Sequence, residues 1–216
     1  MNRVRYMPFL FFAHVCLGAG NIQVFSVTPQ IKLVIQQGDI THCSVDAIVN
    51  AANEQLLGGG GVCGAIFNAA GWDELQKACH RVPRVYPGIN DVRCPVGEAR
   101  ISKSFKLADR GIRWIIHAVG PDCRVIKDEN EQNDRLTKTY QSSLQCALEL
   151  KDIHSIAFPF ISSAIYAFPP KRAARIAIEA TITYLKNHQS DLKEVHFVLF
   201  SQDDYKLFCD TVEQVL

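Results

Sequence analysis

The chain has 216 residues, 48% of them hydrophobic, and a formal charge of +1 from 23 Lys and Arg against 22 Asp and Glu. That length and apolar fraction suffice for the core of one α/β domain, and no repeat or low-complexity tract argues for anything else. The near-neutral balance speaks against a general nucleic-acid binder, which carries a basic excess or stripe.

In chain order, Arg3 and Arg5 precede an apolar run over residues 7–17, followed by Gly18, Ala19 and Gly20. This is the charged, apolar and small-residue order of a signal peptide, although His14 interrupts it and the run is too short to span a bilayer. Residues 1–21 are therefore set apart as an extension: an export signal, or, as the plainer alternative, a structured segment packed on the domain or a non-native translation start. Residues 22–216 form the domain.

Residues 31–36 predict the first strand, ending near Gly38, Asp39 and Ile40. Residues 46–49 predict a second, short and apolar as in a buried parallel sheet. Asn50 and Asn53 follow, then Gly58, Gly59, Gly60 and Gly61, and an apolar helix begins near Val62 and Cys63. Glycines let a backbone approach a ligand closely, and free N–H groups at a helix start favour an anion. A diphosphate is the natural guest.

Further strands are predicted over 98–104, 114–118, 156–159 and 195–200, and helices over 136–150, 173–185 and 203–212. Alternation of strands and helices implies a three-layer α/β/α fold around a mixed, largely parallel sheet. Ligands of such sheets bind beyond the carboxyl ends of the strands. Arg81, Arg84, Arg93, Arg100 and Lys103, interrupted by Pro83 and Pro87, read as solvated surface. The eight cysteines (16, 43, 63, 79, 94, 123, 146 and 209) include no C-x-x-C pair, so no zinc-site spacing is present and free thiols, mostly buried, are expected. His117, inside Trp114-Ile115-Ile116-His117-Ala118-Val119, reads as a satisfied core histidine rather than a base.

Five ordered motifs carry a resemblance. Gln37-Gly38-Asp39-Ile40-Thr41, Val45 through Asn53 with Leu56-Leu57-Gly58-Gly59-Gly60-Gly61-Val62, Cys94-Pro95-Val96-Gly97-Glu98-Ala99, Ile115-Ile116-His117-Ala118-Val119-Gly120-Pro121 and Ala157-Phe158-Pro159-Phe160-Ile161-Ser162-Ser163 resemble the macrodomain, the ADP-ribose-binding module. The likeness covers about residues 31–216. It is strongest to the group that hydrolyses O-acetyl-ADP-ribose and removes mono-ADP-ribose from acidic side chains.

The resemblance implies an adenine contact from Asp39 with the Ile40 backbone nearby, and an aromatic adenine platform at Phe200. It implies that Asn53 orients the distal ribose as the first catalytic contribution, with Asn50 beside it. The glycines 58–61 with Val62, and a second loop of Ser162, Ser163, Ala164, Ile165 and Tyr166, would cradle the diphosphate, with Tyr166 beside the distal ribose.

This chain departs from the family at three positions. Glycine is usual where Ala164 and Ala167 stand, so a required positive φ at Ala164 would cost alanine about 1 kcal/mol. An aspartate usually follows the glycine-rich valine, where this chain has Cys63. A thiol is a poor general base, and a thiolate beside a diphosphate is repelled, so Cys63 reads first as a small buried residue and second as a catalytic thiol. Some viral macrodomains are similar in carrying cysteine there and still hydrolyse.

The implied activity is hydrolysis of O-acetyl-ADP-ribose or of mono-ADP-ribose esters on acidic protein side chains, with no metal or cofactor. The alternative is a non-catalytic reader of ADP-ribose or ADP-ribosylated proteins. Partners are then ADP-ribose, O-acetyl-ADP-ribose or an ADP-ribosylated protein, with no specific nucleic acid and no stable membrane insertion. The expected location is cytoplasmic, or exported if residues 1–20 are a signal peptide.

Overall fold

A computed structural model describes residues 21–85 and 91–216. The expectations for residues 1–20, including Cys16, and the break at Pro87 lie outside the described residues. Within them, seven strands make one sheet: β1 Ile22–Ser26, β2 Lys32–Gln37, β3 Ala47–Ala51, β4 Ala99–Lys103, β5 Trp114–Ala118, β6 Ser155–Phe158 and β7 Glu194–Leu199. Five helices accompany them: α1 Gly61–Ala70, α2 Trp72–Arg81, α3 Glu129–Glu149, α4 Pro170–Asn187 and α5 Gln202–Val215.

The sheet order is β1-β2-β7-β6-β3-β5-β4. The inner pairings β2–β7, β7–β6, β6–β3 and β3–β5 are parallel, and β1 and β4 are antiparallel at the edges. The expected three-layer α/β/α architecture is borne out. Helices α3, α4 and α5 pack together on one face and α1 and α2 on the other.

Alternation along each strand feeds two cores. On β3, Ala47 and Val49 join the core of α3 to α5, whereas Ile48 joins the core of α1 and α2. A parallel strand buried on both faces reads as a continuous apolar run, which is why residues 46–49 were legible as sheet. Asp46 immediately precedes that strand. Its carboxylate accepts from Arg113 Nη2 at 2.8 Å and from the amides of His154 and Ser155 at 2.8 and 3.0 Å, which ties β3 to the starts of β5 and β6. Partial burial pushes its pKa up, but these bonds and the Arg113 charge together outweigh it and hold the group below the usual carboxylate range.

The structure corrects the sequence reading in four places. The sheet begins at β1, whose Ile22 and Val24 are about half exposed (47% and 51%), so the edge strand lacks the buried apolar run that marks the inner ones. Helix α2 carries no long apolar period: Leu75 and Cys79 are its buried residues, one turn apart. Helix α3 starts at Glu129 rather than 136, because Asp128 caps it, accepting from the Glu131 amide at 2.7 Å, and its polar first turns hide the period. Arg93 is not solvated surface. It is buried, and Nη1 donates to the His80 and Val82 carbonyls at 2.7 and 2.5 Å, closing the end of α2.

The seven described cysteines are free thiols, five of them buried, as expected for a chain whose core needs no staples.

Candidate functional site: a cavity at the carboxyl ends of the strands

The end of β3 passes through Ala51, Ala52 and Asn53 into the glycine loop and α1. This stretch forms the floor of a cavity of about 300 Å³. One wall is Gly59, Gly60, Gly61, Val62 and Cys63; the other is Phe160, Ile161, Ser162, Ala164, Ile165 and Tyr166, with Gly120 between them. Among the described residues, no Asp, Glu, Lys, Arg or His lines it. Two larger depressions, of about 570 and 500 Å³, lie at the opposite ends of the strands, around Ile31, Ile153 and Lys193 and around Lys103 and Trp114.

The first wall is a helix start stripped of side chains. Gly60 is the N-cap of α1 and makes no side-chain cap bond, so the first-turn amides of Gly61, Val62 and Cys63 have no intrahelical acceptor. A Cβ built at Gly59, Gly60 or Gly61 would meet nothing within 4 Å, so packing does not account for the missing side chains at these three positions. At Gly61 a φ of +62° adds a backbone reason. Gly58 differs from them. Its Cβ would stand 2.5 Å from the Trp72 ring and its amide donates to Gln76 Oε1 at 2.9 Å, so it is a packing glycine behind the cavity wall. Gly64 is also a packing position, its Cβ 2.6 Å from the Gly59 carbonyl oxygen.

The opposite wall is a tight turn. Phe168 N donates to the Ser162 carbonyl and Ala167 N to the Ala164 carbonyl, both at 3.0 Å. The amides of Ser163, Ala164, Ile165 and Tyr166 donate no bond within the described chain. Two rows of unpaired N–H groups therefore flank one uncharged cavity, an arrangement whose dipoles favour an anion. The positive φ expected at Ala164 is not there. It falls on Ser162 (64°) and Ala167 (53°), so alanine bears the backbone cost at 167 and not at 164.

Asn50 is buried below the floor. Its Nδ2 lies 3.1 Å from His117 Nδ1, and His117 Nε2 lies 2.9 Å from Ser102 Oγ, which donates on to the Lys103 carbonyl. His117 is the satisfied core histidine that the strand pattern implied. Burial pushes its pKa down to about 4, so it is neutral at physiological pH. Asn50 also approaches Cys63, whose thiol donates toward the Leu57 carbonyl at 3.9 Å. Burial raises the Cys63 pKa, against weaker opposing bonds from the Gly59 amide and Asn50, so the thiol form dominates near neutrality.

Asn53 lines the floor, yet both ends of its carboxamide engage the loop: Nδ2 donates to the Leu57 carbonyl and Oδ1 accepts from the Leu57 amide, each at 2.9 Å. The pair clasps the glycine loop.

The remaining residues singled out in the sequence lie beside the cavity. Asp39 caps the 3-10 turn Ile40–His42, Oδ1 accepting from the Thr41 amide and hydroxyl at 2.9 Å, while its carboxylate stays 40% exposed. Ile40 is buried. Phe200 follows β7 with 84% of its surface exposed, next to the Asp39 turn because Gly38 N donates to the Leu199 carbonyl at 2.9 Å. Ser163 turns away, its hydroxyl donating to the Phe160 carbonyl at 3.0 Å. Ala51, Ala52, Gly120, Phe160 and Ile161 line the cavity but were not singled out. They sit inside the ordered motifs, and only their apolar character disguises them.

Comparison with known proteins agrees with this geometry. A model of the Macro domain family matches residues 49–177. A macro domain-containing protein of Xanthomonas axonopodis pv. citri is 44% identical over 178 residues, covering 82% of this chain and 93% of its own. A protein of Escherichia fergusonii named O-acetyl-ADP-ribose deacetylase is 38% identical over 177 residues, covering 82% and 93%. The solved structure of an Oceanobacillus iheyensis macrodomain with ADP superposes with a TM-score of 0.81 at 36% identity, covering 92% of this chain and 98% of that one. The chain belongs to the macrodomain family.

Proposed function

We propose that the protein binds ADP-ribose and hydrolyses esters of it, either O-acetyl-ADP-ribose or mono-ADP-ribose on acidic protein side chains. The observation that carries this is the pair of unpaired amide rows across an uncharged cavity: backbone dipoles bind a diphosphate without side-chain cations. The relative named for O-acetyl-ADP-ribose deacetylation, with 93% of its length matched, supports the reaction type.

The adenine end lies toward Asp39 and Phe200, where a part-exposed carboxylate, its Oδ2 3.6 Å from His42 Nδ1, and an exposed aromatic face stand on adjoining turns. The distal ribose lies toward Asn53, Cys63 and Tyr166. With no carboxylate or imidazole in the lining, the enzyme's contribution is placement. Water attacks the acyl carbonyl carbon, the bond from that carbon to the ribose oxygen breaks, and the ribose oxygen takes a proton. Attack at the anomeric carbon would instead break the sugar's bond to the carboxylate. The substrate's own phosphate is the available base. The free thiols of the seven described cysteines support work in a reducing, cytoplasmic setting.

A second reading, a non-catalytic reader of ADP-ribosylated proteins, is favoured by one observation: the clasp between Asn53 and Leu57 occupies the side chain assigned to the reacting sugar. Calorimetry with ADP-ribose and acetate release from O-acetyl-ADP-ribose test both. Hydrolysis requires 1:1 binding, release above the spontaneous rate, and a greater loss of turnover than of affinity in Asn53→Ala. Binding with no release leaves the reader, and no binding removes both readings.

A further inference from the structure

We propose that Arg124, with Lys127 beside it, docks the acidic polypeptide flanking an ADP-ribosylated side chain, so that the rim of the cavity selects modified acidic segments. The inference rests on the ADP-ribosyl ester reading above and names the class of protein substrate.

The loop carrying these residues leaves the cavity directly. Gly120 is part of the lining, and three residues on, the Cys123 amide donates to the carbonyl of Tyr166, another lining residue, at 2.9 Å. Arg124 is thereby held over the Tyr166 ring, its guanidinium carbon 5.9 Å from the ring centroid.

The guanidinium is fixed from behind. Asp122 accepts from Arg124 Nε at 2.9 Å and from Nη2 at 2.7 Å, and from the Arg124 amide at 2.9 Å. Nη1 donates no bond within the described chain and the side chain is half exposed, so one edge of an oriented fork is left for a further acceptor. Lys127 Nζ is held at the Cys123 carbonyl, 3.3 Å away, adding a second cation to the same loop.

The surroundings specify what this edge would meet. Arg124 and Lys127 are not among the lining residues, and the described lining carries no charge, so these cations do not belong to the ligand seat itself. Ile165 (61% exposed) and Val125 (75% exposed) stand on the two loops around Tyr166, giving a flanking chain apolar contact between its carboxylates. Arg124 and Val125 lie outside the cavity lining, beyond a small acyl group on the seated sugar. Only a substrate continuing past the ribose, such as a polypeptide bearing the ester, extends over the rim.

The test uses two synthetic peptides, each with one ADP-ribosyl-glutamate, flanked by Glu and Asp in one and by Gln and Asn in the other. Wild type should favour the acidic flank by about two- to fivefold in kcat/KM, through KM, as an exposed ion pair allows, with the preference shrinking in high salt. Arg124→Gln should bring the ratio to about one, Arg124→Glu should invert it, and Arg124→Lys should retain part of it. O-acetyl-ADP-ribose turnover should stay at the wild-type rate in all three, which also shows that they fold. If wild type binds without turnover, the same ratios are read as dissociation constants. Equal treatment of the peptides by wild type, or a ratio unmoved by Arg124→Glu, overturns the inference while leaving the parent reading intact. Parallel loss of O-acetyl-ADP-ribose turnover also overturns it, placing Arg124 in the ligand seat. A wild type that does not bind ADP-ribose overturns the parent reading and this one with it.

Discussion

Asn50 Nδ2 and His117 Nδ1 face each other at 3.1 Å in the buried layer under the cavity floor. Because Nδ1 accepts from the amide, the imidazole proton sits on Nε2 and is donated to Ser102 Oγ, 2.9 Å away. The histidine thus orients an asparagine that in turn approaches Cys63, and it does so only while neutral.

That neutrality gives a pH signature. The folded pKa of about 4 lies below the unfolded value of 6.5, so the unfolded chain binds the proton first. The stability conferred is complete above about pH 6.5 and is lost progressively as pH falls toward 4, by roughly 3 kcal/mol in all. Urea midpoints should fall across that window, and His117→Gln should flatten the slope. A wild-type midpoint constant from about pH 6.5 to 4.5 would contradict the assignment.

Cys63 separates structural from catalytic chemistry. With its pKa raised by burial, the thiol should react slowly with iodoacetamide at about pH 8, and Cys63→Ala should keep both ADP-ribose affinity and turnover. Cys63→Asp should speed hydrolysis, since general-base help is worth ~10² to 10⁴-fold. Collapse of activity in Cys63→Ala with affinity preserved would establish a catalytic thiol.

The two kinds of glycine around α1 should respond oppositely. Gly59→Asp meets open space, so its melting temperature should stay near wild type while a carboxylate beside the diphosphate lowers ADP-ribose affinity tenfold or more. Gly64→Ala forces a methyl to 2.6 Å from the Gly59 carbonyl and should cost about 1 to 3 kcal/mol. Thermal melts and calorimetry on both variants read the contrast directly.

Asp39 has two duties that one pair of variants can divide. Asp39→Ala should lose the cap of the Ile40–His42 turn and weaken ADP-ribose binding by about 1.5 to 3 kcal/mol. Asp39→Asn should keep the cap, hold stability near wild type and still bind more weakly. Undiminished affinity in both variants would remove Asp39 from the adenine site.

The sequence by itself determined the inner strands, the helix after the glycines and the family, because residues buried on both sheet faces leave unbroken apolar runs and a ligand-facing backbone needs residues without side chains. Edge strand β1 and the capped start of α3 escaped it, since one is half solvated and the other is polar through its first turns. Which glycines open on the cavity was legible only from the packing around them. Gly58 and Gly59 are neighbours in one run, yet one is pressed against Trp72 and the other opens on the cavity. Only the fold, too, showed that Asn53 holds Leu57, that the positive φ sits at Ala167 rather than Ala164, and that Asp122 aims Arg124 past Tyr166. Some of these depend on contacts between separated segments, as with Arg124 and Tyr166, and others on a local dihedral or a short-range bond, as at Ala167 and Asn53, because one residue type serves several backbone and packing roles.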